Sequence, residues 1–171
     1  MTGLAERRAL VLSISNRASA GIYQDTTGPR IVSALWELGM GAVSAVVVPD
    51  GEPVRAALLD AVRAGTDLVV TTGGTGVSPT DETPEMTRQV LEYEVPGIAE
   101  AIRRQGVTNG IATAVLSRGL AGVAGSTLIV NLPGSTGGVK DGLAVLTPIV
   151  EHTLDQLGGG DHVRADGGGV S

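Results

Sequence analysis

The sequence contains no cysteine and no phenylalanine. The first absence removes disulfides, thiolate nucleophiles and zinc–thiolate centres together. The second, with one tryptophan and two tyrosines in the whole chain, leaves Val, Leu, Ile and Ala to build the core and argues against a cofactor stacked on aromatic rings. Lysine occurs once, as Lys140, and the net charge is −6. Nucleic-acid binding ordinarily needs a basic face, so no RNA or DNA partner is expected. Long apolar runs are also missing, and none approaches the ~20 residues of a membrane span. The opening MTGLAERRALVLSIS puts two arginines before an apolar run. That run is too short for a secretory signal, and Ser13, Ser15, Asn16 and Arg17 stand where a small-residue cleavage site would be. A soluble cytoplasmic protein with no membrane partner is the expectation.

What is present is a chain of 171 residues, 42% apolar, a length that suits one domain. Ala9–Ser15 and Val43–Val48 are short apolar runs of strand length, the first expected to be buried on both faces. Leu68–Thr71 is a third. Between them, a helix beginning at Pro29 carries Ile31, Leu35, Trp36 and Leu38 and stops at Gly39. A second helix, Pro53–Ala64, carries Val54, Leu58, Ala61 and Val62 and stops at Gly65. Helices over Pro84–Glu92 and Ile98–Gln105 follow. After Ile111–Leu116, Leu120–Val123 and Thr127–Val130 are spaced as a hairpin. A final helix spans Val139–Leu157, and the tail Gly158–Ser171 is too rich in glycine to pack and is read as disordered. Residues 1–157 therefore form the expected domain. Strand and helix alternate three times before the hairpin, which predicts an α/β fold of three layers, α/β/α, with a mostly parallel sheet and one antiparallel piece.

Four polar clusters fall at the expected carboxyl ends of strands, where ligands bind in open α/β sheets. They are Ser15-Asn16-Arg17, Asp50, Gly73–Asp81 and Asn131–Ser135. The third belongs to Leu68–Glu85, LVVTTGGTGVSPTDETPE, in which a strand delivers three glycines toward a helix start at Thr83-Pro84-Glu85. Backbone N–H groups and a helix dipole at such a point favour an anion. GGTG alone is equally a sharp turn, and with no Gly-Lys-Ser/Thr and no lysine nearby it is not a Walker A loop. Thr83 is the better N-cap candidate, with Pro84 at the first helical position, which leaves Asp81 for another task. Asp50 is either a cap for the next helix or a site residue. Ser117, Arg118 and Lys140 are the remaining hydroxyl or basic groups in loops near these clusters. His152 and His162 have no metal-ligand neighbour at useful spacing.

TTGGTGVSPTDETPE resembles the signature of molybdopterin adenylyltransferases and related molybdopterin-binding proteins of molybdenum-cofactor biosynthesis. SISNRASAGIYQDTTGP, the Pro49-Asp50 turn, PGIAEAIR, TAVLSRGLAGV and LIVNLPGS have counterparts in the same order, so the resemblance covers roughly Ala9–Leu157. It implies transfer of AMP from ATP to the terminal phosphate of molybdopterin, with Mg²⁺ and release of pyrophosphate, in a homotrimer that hands its product to a molybdenum insertase. The family's two essential aspartates match Asp50 and Asp81, expected to hold or orient Mg²⁺. Because a phosphate monoester is already anionic, alignment and charge neutralisation matter more than a general base. Gly73, Gly74, Thr75 and Gly76 would line the substrate site with Ser78, Gly134 and Ser135. Ser15, Asn16, Ser117 and Asn131 are further candidates, with Arg118 or Lys140 as the positive charge. Two departures stand out: many relatives have Asp at Asn16, and some have a basic residue at Gly137-Gly138. The alternative is a non-catalytic molybdopterin-binding or assembly module.

Overall fold

The computed structural model describes residues 2–160. From the amino terminus the elements are β1 (Arg8–Ile14), α1 (Asn16–Ser19), α2 (Thr27–Leu38), β2 (Ala42–Val48), α3 (Glu52–Arg63), β3 (Leu68–Thr72), α4 (Thr83–Arg88), β4 (Tyr93–Glu94), α5 (Pro96–Thr108), β5 (Ala121–Ala124), β6 (Thr127–Leu132) and α6 (Thr136–Leu157). They build one six-stranded sheet in the order β2-β1-β3-β6-β5-β4. β1, β2, β3 and β6 run parallel, while β5 is antiparallel to β6 and β4 to β5. The mostly parallel α/β sheet with an antiparallel piece is thus as expected.

Side chains alternate across each strand, so each central strand feeds two cores. Val11, Val70 and Val130 face Ile31 and Leu35 of α2, Ile102 of α5, and Leu146 and Val150 of α6. Leu12, Val69 and Ile129 face Val54, Leu58 and Ala61 of α3. Each buried Val, Leu or Ile among them stabilises the fold by about 1.5–3 kcal/mol. β2 is different: it lies at an edge, and Val46 and Val47 are 47% and 39% exposed.

Some boundaries differ from expectation for tertiary reasons. The helix predicted to reach Glu92 stops at Arg88, because β4 pairs with β5 and Glu92 and Val95 donate their N–H groups to Val123 and Ala121 at 2.8 and 2.7 Å. α5 is longer than predicted, Pro96–Thr108, and 112–116 winds into a 3-10 helix. The hairpin turns on Gly125-Ser126 alone. α6 starts at Thr136, three residues ahead of the expected Val139 (139 − 136). Of the expected tail, Gly158 and Gly160 still donate to Leu154 and Asp155 carbonyls, at 3.0 and 2.9 Å; residues 161–171, with His162, lie outside the described residues.

Asn131 is corrected from a ligand candidate to a core group. It is 3% exposed on β6, accepts the Leu120 N–H at 3.0 Å, and donates to the Thr71 and Thr87 hydroxyls at 2.9 and 3.1 Å. Asn131→Ala would strand these buried partners, so unfolding in urea should show a loss of about 3 kcal/mol with an unchanged m-value.

Candidate active site

The chain leaves β1 for β2 on one side, then returns across β1 to β3 on the other. Such a reversal opens a crevice at the carboxyl ends of the strands. Asp50 follows β2 there, and its groups reach both neighbours. Its N–H donates to Asn16 Oδ1 at 2.9 Å, joining it to the end of β1. Its Oδ1 accepts from Gly51 N–H at 2.8 Å and Thr83 Oγ1 at 3.0 Å, and its Oδ2 from Glu82 N–H at 3.1 Å, joining it to the loop after β3. Asn16 therefore serves as an acceptor, a task for which an aspartate would be equally suited. The loop passes Asp50 closely: Gly74 has φ 66°, and a Cβ there would overlap Asp50 Oδ2 and Thr83 Oγ1.

Two expectations about this loop are corrected. Thr83 does not cap α4 but donates its hydroxyl to Asp50. α4 itself has only 6 residues, and the donor at its entry, Glu82 N–H, is taken by Asp50, so its dipole is not a free anion site.

Arg118 is likewise committed to protein. Its backbone N–H donates to Thr75 O at 2.7 Å, its Nε to Gly76 O at 2.7 Å, and its Nη2 to Asp81 O at 2.8 Å. Nη1 pairs with Glu85. The guanidinium thus holds the loop from 75 to 81 against α4, and Arg118 borders neither of the cavities below. Burial raises the Glu85 carboxyl, but the Arg118 hydrogen bond, the backbone and the charges of Arg118 and Arg88 outweigh it and hold the group below the ordinary glutamate value. Ser78 pairs with Thr80 at 3.2 Å and borders neither of the cavities below.

The loop after β6 enters α6, a helix of 22 residues whose N-cap Ser135 accepts Gly138 N–H at 3.0 Å. Thr136 and Gly137 are left with N–H groups that no helical carbonyl can reach. The two glycine-rich loops touch: a Cβ at Gly134 would stand 3.1 Å from Gly73 Cα. Gly134 and Ser135 form a ridge between two cavities. The larger, about 660 Å³, is bordered by Gly74, Thr75, Gly76 and Asp81 on one side and Ser135, Gly137 and Gly138 on the other, with Ile102, Ile111, Ala114, Leu116 and Ser117 as further walls. The smaller, about 280 Å³, is polar, and Ser13, Ser15, Asp25, Thr27, Thr72 and Gly73 border it. Ser15 also caps α1, accepting Ala18 N–H at 3.1 Å.

Lys140 is corrected as well. It lies on the far side of α6, in a groove against Arg30 and Glu37 of α2. The cation that does border the larger cavity is Arg103, whose Nη1 donates to Ser117 O and Gly119 O at 3.2 and 3.1 Å. Asp141 borders the same cavity, and Asp25 the smaller one, where it accepts from Ser13 Oγ at 2.6 Å and Gly28 N–H at 3.1 Å. Sequence reading missed these three. A signal existed for one: Arg103 sits in helical step with buried Ala99 and Gly106, a charge on an inward helix face.

Among the described residues no group of three or more acidic or histidine side chains is assembled for a metal. Mg²⁺ needs less than that, since one or two carboxylates with substrate phosphates suffice. Asp81 fits: it borders the larger cavity, and its carboxylate accepts no hydrogen bond from the described residues. Asp50 has three of its roughly four acceptor positions filled by the loop.

Residues 10–152 match the family described as "Probable molybdopterin binding domain". The chain belongs to that family. It is 37% identical to a molybdenum cofactor biosynthesis bifunctional protein of Synechococcus elongatus over 93% of this chain, and it spans about half of that relative, 50%. It is 35% identical to a molybdopterin adenylyltransferase of Helicobacter pylori, covering 86% of this chain and 85% of that one. Among solved structures it is similar to the molybdopterin biosynthesis Mog protein of Mycobacterium ulcerans, with a TM-score of 0.85, 54% identity, and coverage of 88% of this chain and 99% of that one.

In this chain the Arg118 clamp is open to test by hydrogen exchange. Arg118→Lys, whose three donors sit on one nitrogen and cannot span Gly76, Asp81 and Glu85 together, should raise exchange at Asp81 N–H by at least about 10-fold, corresponding to ~1.4 kcal/mol of local opening, with β3 unchanged. Because the Glu85 pKa is depressed in the fold, its contribution is complete above the ordinary glutamate range and lost as pH falls through the lower, folded value. Exchange at this loop, corrected for intrinsic rates, should therefore stay slow at neutral pH and accelerate only on acidification below the ordinary glutamate range.

Proposed function

We propose that this chain is a molybdopterin adenylyltransferase of molybdenum-cofactor biosynthesis, transferring AMP from ATP to the terminal phosphate of molybdopterin. The observation that carries the reading is the pair of cavities meeting at Gly134-Ser135, one of them a 660 Å³ space walled by both glycine-rich loops and entered by the Asp81 carboxylate. A reaction that joins two phosphorylated molecules needs two adjoining sites with their anions meeting between them. The names of relatives that match over most of the chain support the same reading.

In the proposed reaction a terminal phosphate oxygen of molybdopterin attacks the α-phosphorus of ATP. A P–O bond forms there, the α–β bridge breaks, and pyrophosphate leaves with the electron pair. The attacking oxygen is already anionic, so no side chain has to take a proton. The chain's own contribution is positioning. The N–H groups of Thr136 and Gly137 at the start of α6 receive phosphate oxygens, Arg103 supplies a positive charge, and the apolar walls exclude water from the ring. Mg²⁺, bound with the nucleotide, would neutralise phosphate charge, with Asp81 as its protein ligand and Asp50 fixing the loop that presents Asp81.

The remaining expectations belong to the same proposal. Among the described residues no helix is long and apolar enough to cross a membrane, which accords with a cytoplasmic enzyme handing its product to an insertase. A homotrimer would cover the exposed edge β2, whose residues 42–48 carry no charge or proline to discourage pairing. Light scattering should give about three times the mass of one chain, and charged substitutions at Val46 and Val47 should lower it.

The deciding assay mixes molybdopterin, ATP and Mg²⁺ and follows pyrophosphate. Wild-type protein should release it and form an adenylylated pterin. Asp81→Asn should lower kcat by about 100-fold or more, as losing a charge-stabilising group in such a site does. Asp50→Asn should also be impaired, with faster hydrogen exchange in the loop. Tight pterin binding without pyrophosphate would establish the binding module instead.

A further inference from the structure

Asp141 lies on α6 with 7% exposure. Its Oδ1 accepts the Asn109 side-chain N–H at 2.5 Å, which ties α6 to the last turn of α5. That bond accounts for one oxygen only. Among the described residues Oδ2 accepts no hydrogen bond and no arginine or lysine pairs with the group, yet the residue borders the 660 Å³ cavity. Oδ2 is not sealed in the interior but opens on the cavity, so its donors come from what fills that cavity, water or a ligand. If α5 and α6 needed only a staple, an amide in place of the acid would supply it without a buried charge.

The cavity constrains which donors these are. Its walls near α5 are apolar, Ile102, Ile111, Ala114 and Leu116, and suit a flat heterocycle. Oδ2 is uncommitted and Oδ1 keeps a second lone pair beside its Asn109 bond, so the carboxylate can accept from a ring edge carrying two adjacent donors. The pyrimidinone edge of a pterin carries them, as N3–H and the 2-amino group. Adenine does not: its corresponding edge alternates a donor with an acceptor. We infer that Asp141 recognises the pterin ring by accepting from its 2-amino and N3–H groups, and so sets the polarity of the substrate in the cavity. The ring then lies against α5 and α6, and the phosphate end points toward Gly74–Gly76 and the start of α6. This rests on molybdopterin being the substrate, but it is tested apart from turnover.

The test is a fluorescence titration of the full chain with two stable probes, pterin (2-amino-4-oxopteridine) and lumazine (2,4-dioxopteridine), in which an oxygen replaces the amino group. Wild-type protein should bind pterin about 10- to 100-fold more tightly than lumazine, as expected for charge-assisted hydrogen bonds. Asp141→Asn should remove that preference and leave ATP binding unchanged. In the transferase assay it should raise KM for molybdopterin and not for ATP. Equal affinity of wild-type protein for the two probes, or no binding of pterin, would overturn the inference, and neither outcome depends on whether a variant folds. An Asp141→Asn protein with native circular dichroism and undiminished pterin preference would overturn it too. Pterin preference without pyrophosphate release would keep Asp141 as the recognising residue and reject the transferase. Pyrophosphate release with no preference would do the reverse.

Discussion

Asp50 is the point on which the site depends, because its groups join the carboxyl ends of three parallel strands. Asn16 binds it from β1, it continues β2 itself, and Glu82 and Thr83 bind it from the loop after β3. Hydrogen bonds to a charged group contribute about 1.5–3 kcal/mol each where solvent is excluded, less where a partner such as Glu82 is exposed. The geometry matters more than the sum. Three loops that would otherwise move independently are tied through one residue, the first by its backbone N–H and the third by its carboxylate, and Gly74 has room beside it only because it lacks a Cβ. An aspartate at such a place can act without touching substrate, as a positioning residue for Asp81.

A useful division runs through the polar groups of this region. Asp50, Arg118 and Asn131 have their hydrogen-bonding capacity largely spent on the protein. Asp81, Asp141 and part of Arg103 border the cavity with capacity left over. The first set fixes where the loops are, and the second is available to a ligand. Arg118 illustrates why proximity is a poor guide: it belongs to the loop system yet has four of its donor groups bound to Thr75, Gly76, Asp81 and Glu85.

Strands and most helices were legible because their apolar residues repeat with the right period, and the strand-end clusters could be placed once βαβ order was recognised. What could not be read was which side chain each polar residue meets. Asn131 finds Thr71 and Thr87 across separations of 60 and 44 residues, and nothing local in Asn-Leu-Pro-Gly announces that. Thr83 was legible as a cap by spacing alone, but Asp50, 33 residues away, offers its hydroxyl a charged acceptor. β4 was invisible for a related reason: two residues, Tyr93-Glu94, are strand only because β5 is beside them. Arg103 was legible in principle, since a charge in step with buried helix residues has to be explained by something.

The acidic composition then has a consequence for how phosphates are held. The larger cavity is bordered by two carboxylates, Asp81 and Asp141, and one guanidinium, Arg103. Two like charges 4 Å apart repel by about 4 kcal/mol at an effective dielectric of 20. A phosphate beside Asp81 therefore requires either a cation brought with it or distance from the acid. The Arg103 charge alone does not offset an incoming phosphate and a carboxylate together. Asp141 avoids the conflict if it meets the uncharged ring end of the substrate, and Asp81 avoids it only with a metal ion between it and the phosphates. The placement of the two acids thus argues for one orientation of a substrate that is neutral at one end and anionic at the other, and for a cation that arrives with the nucleotide.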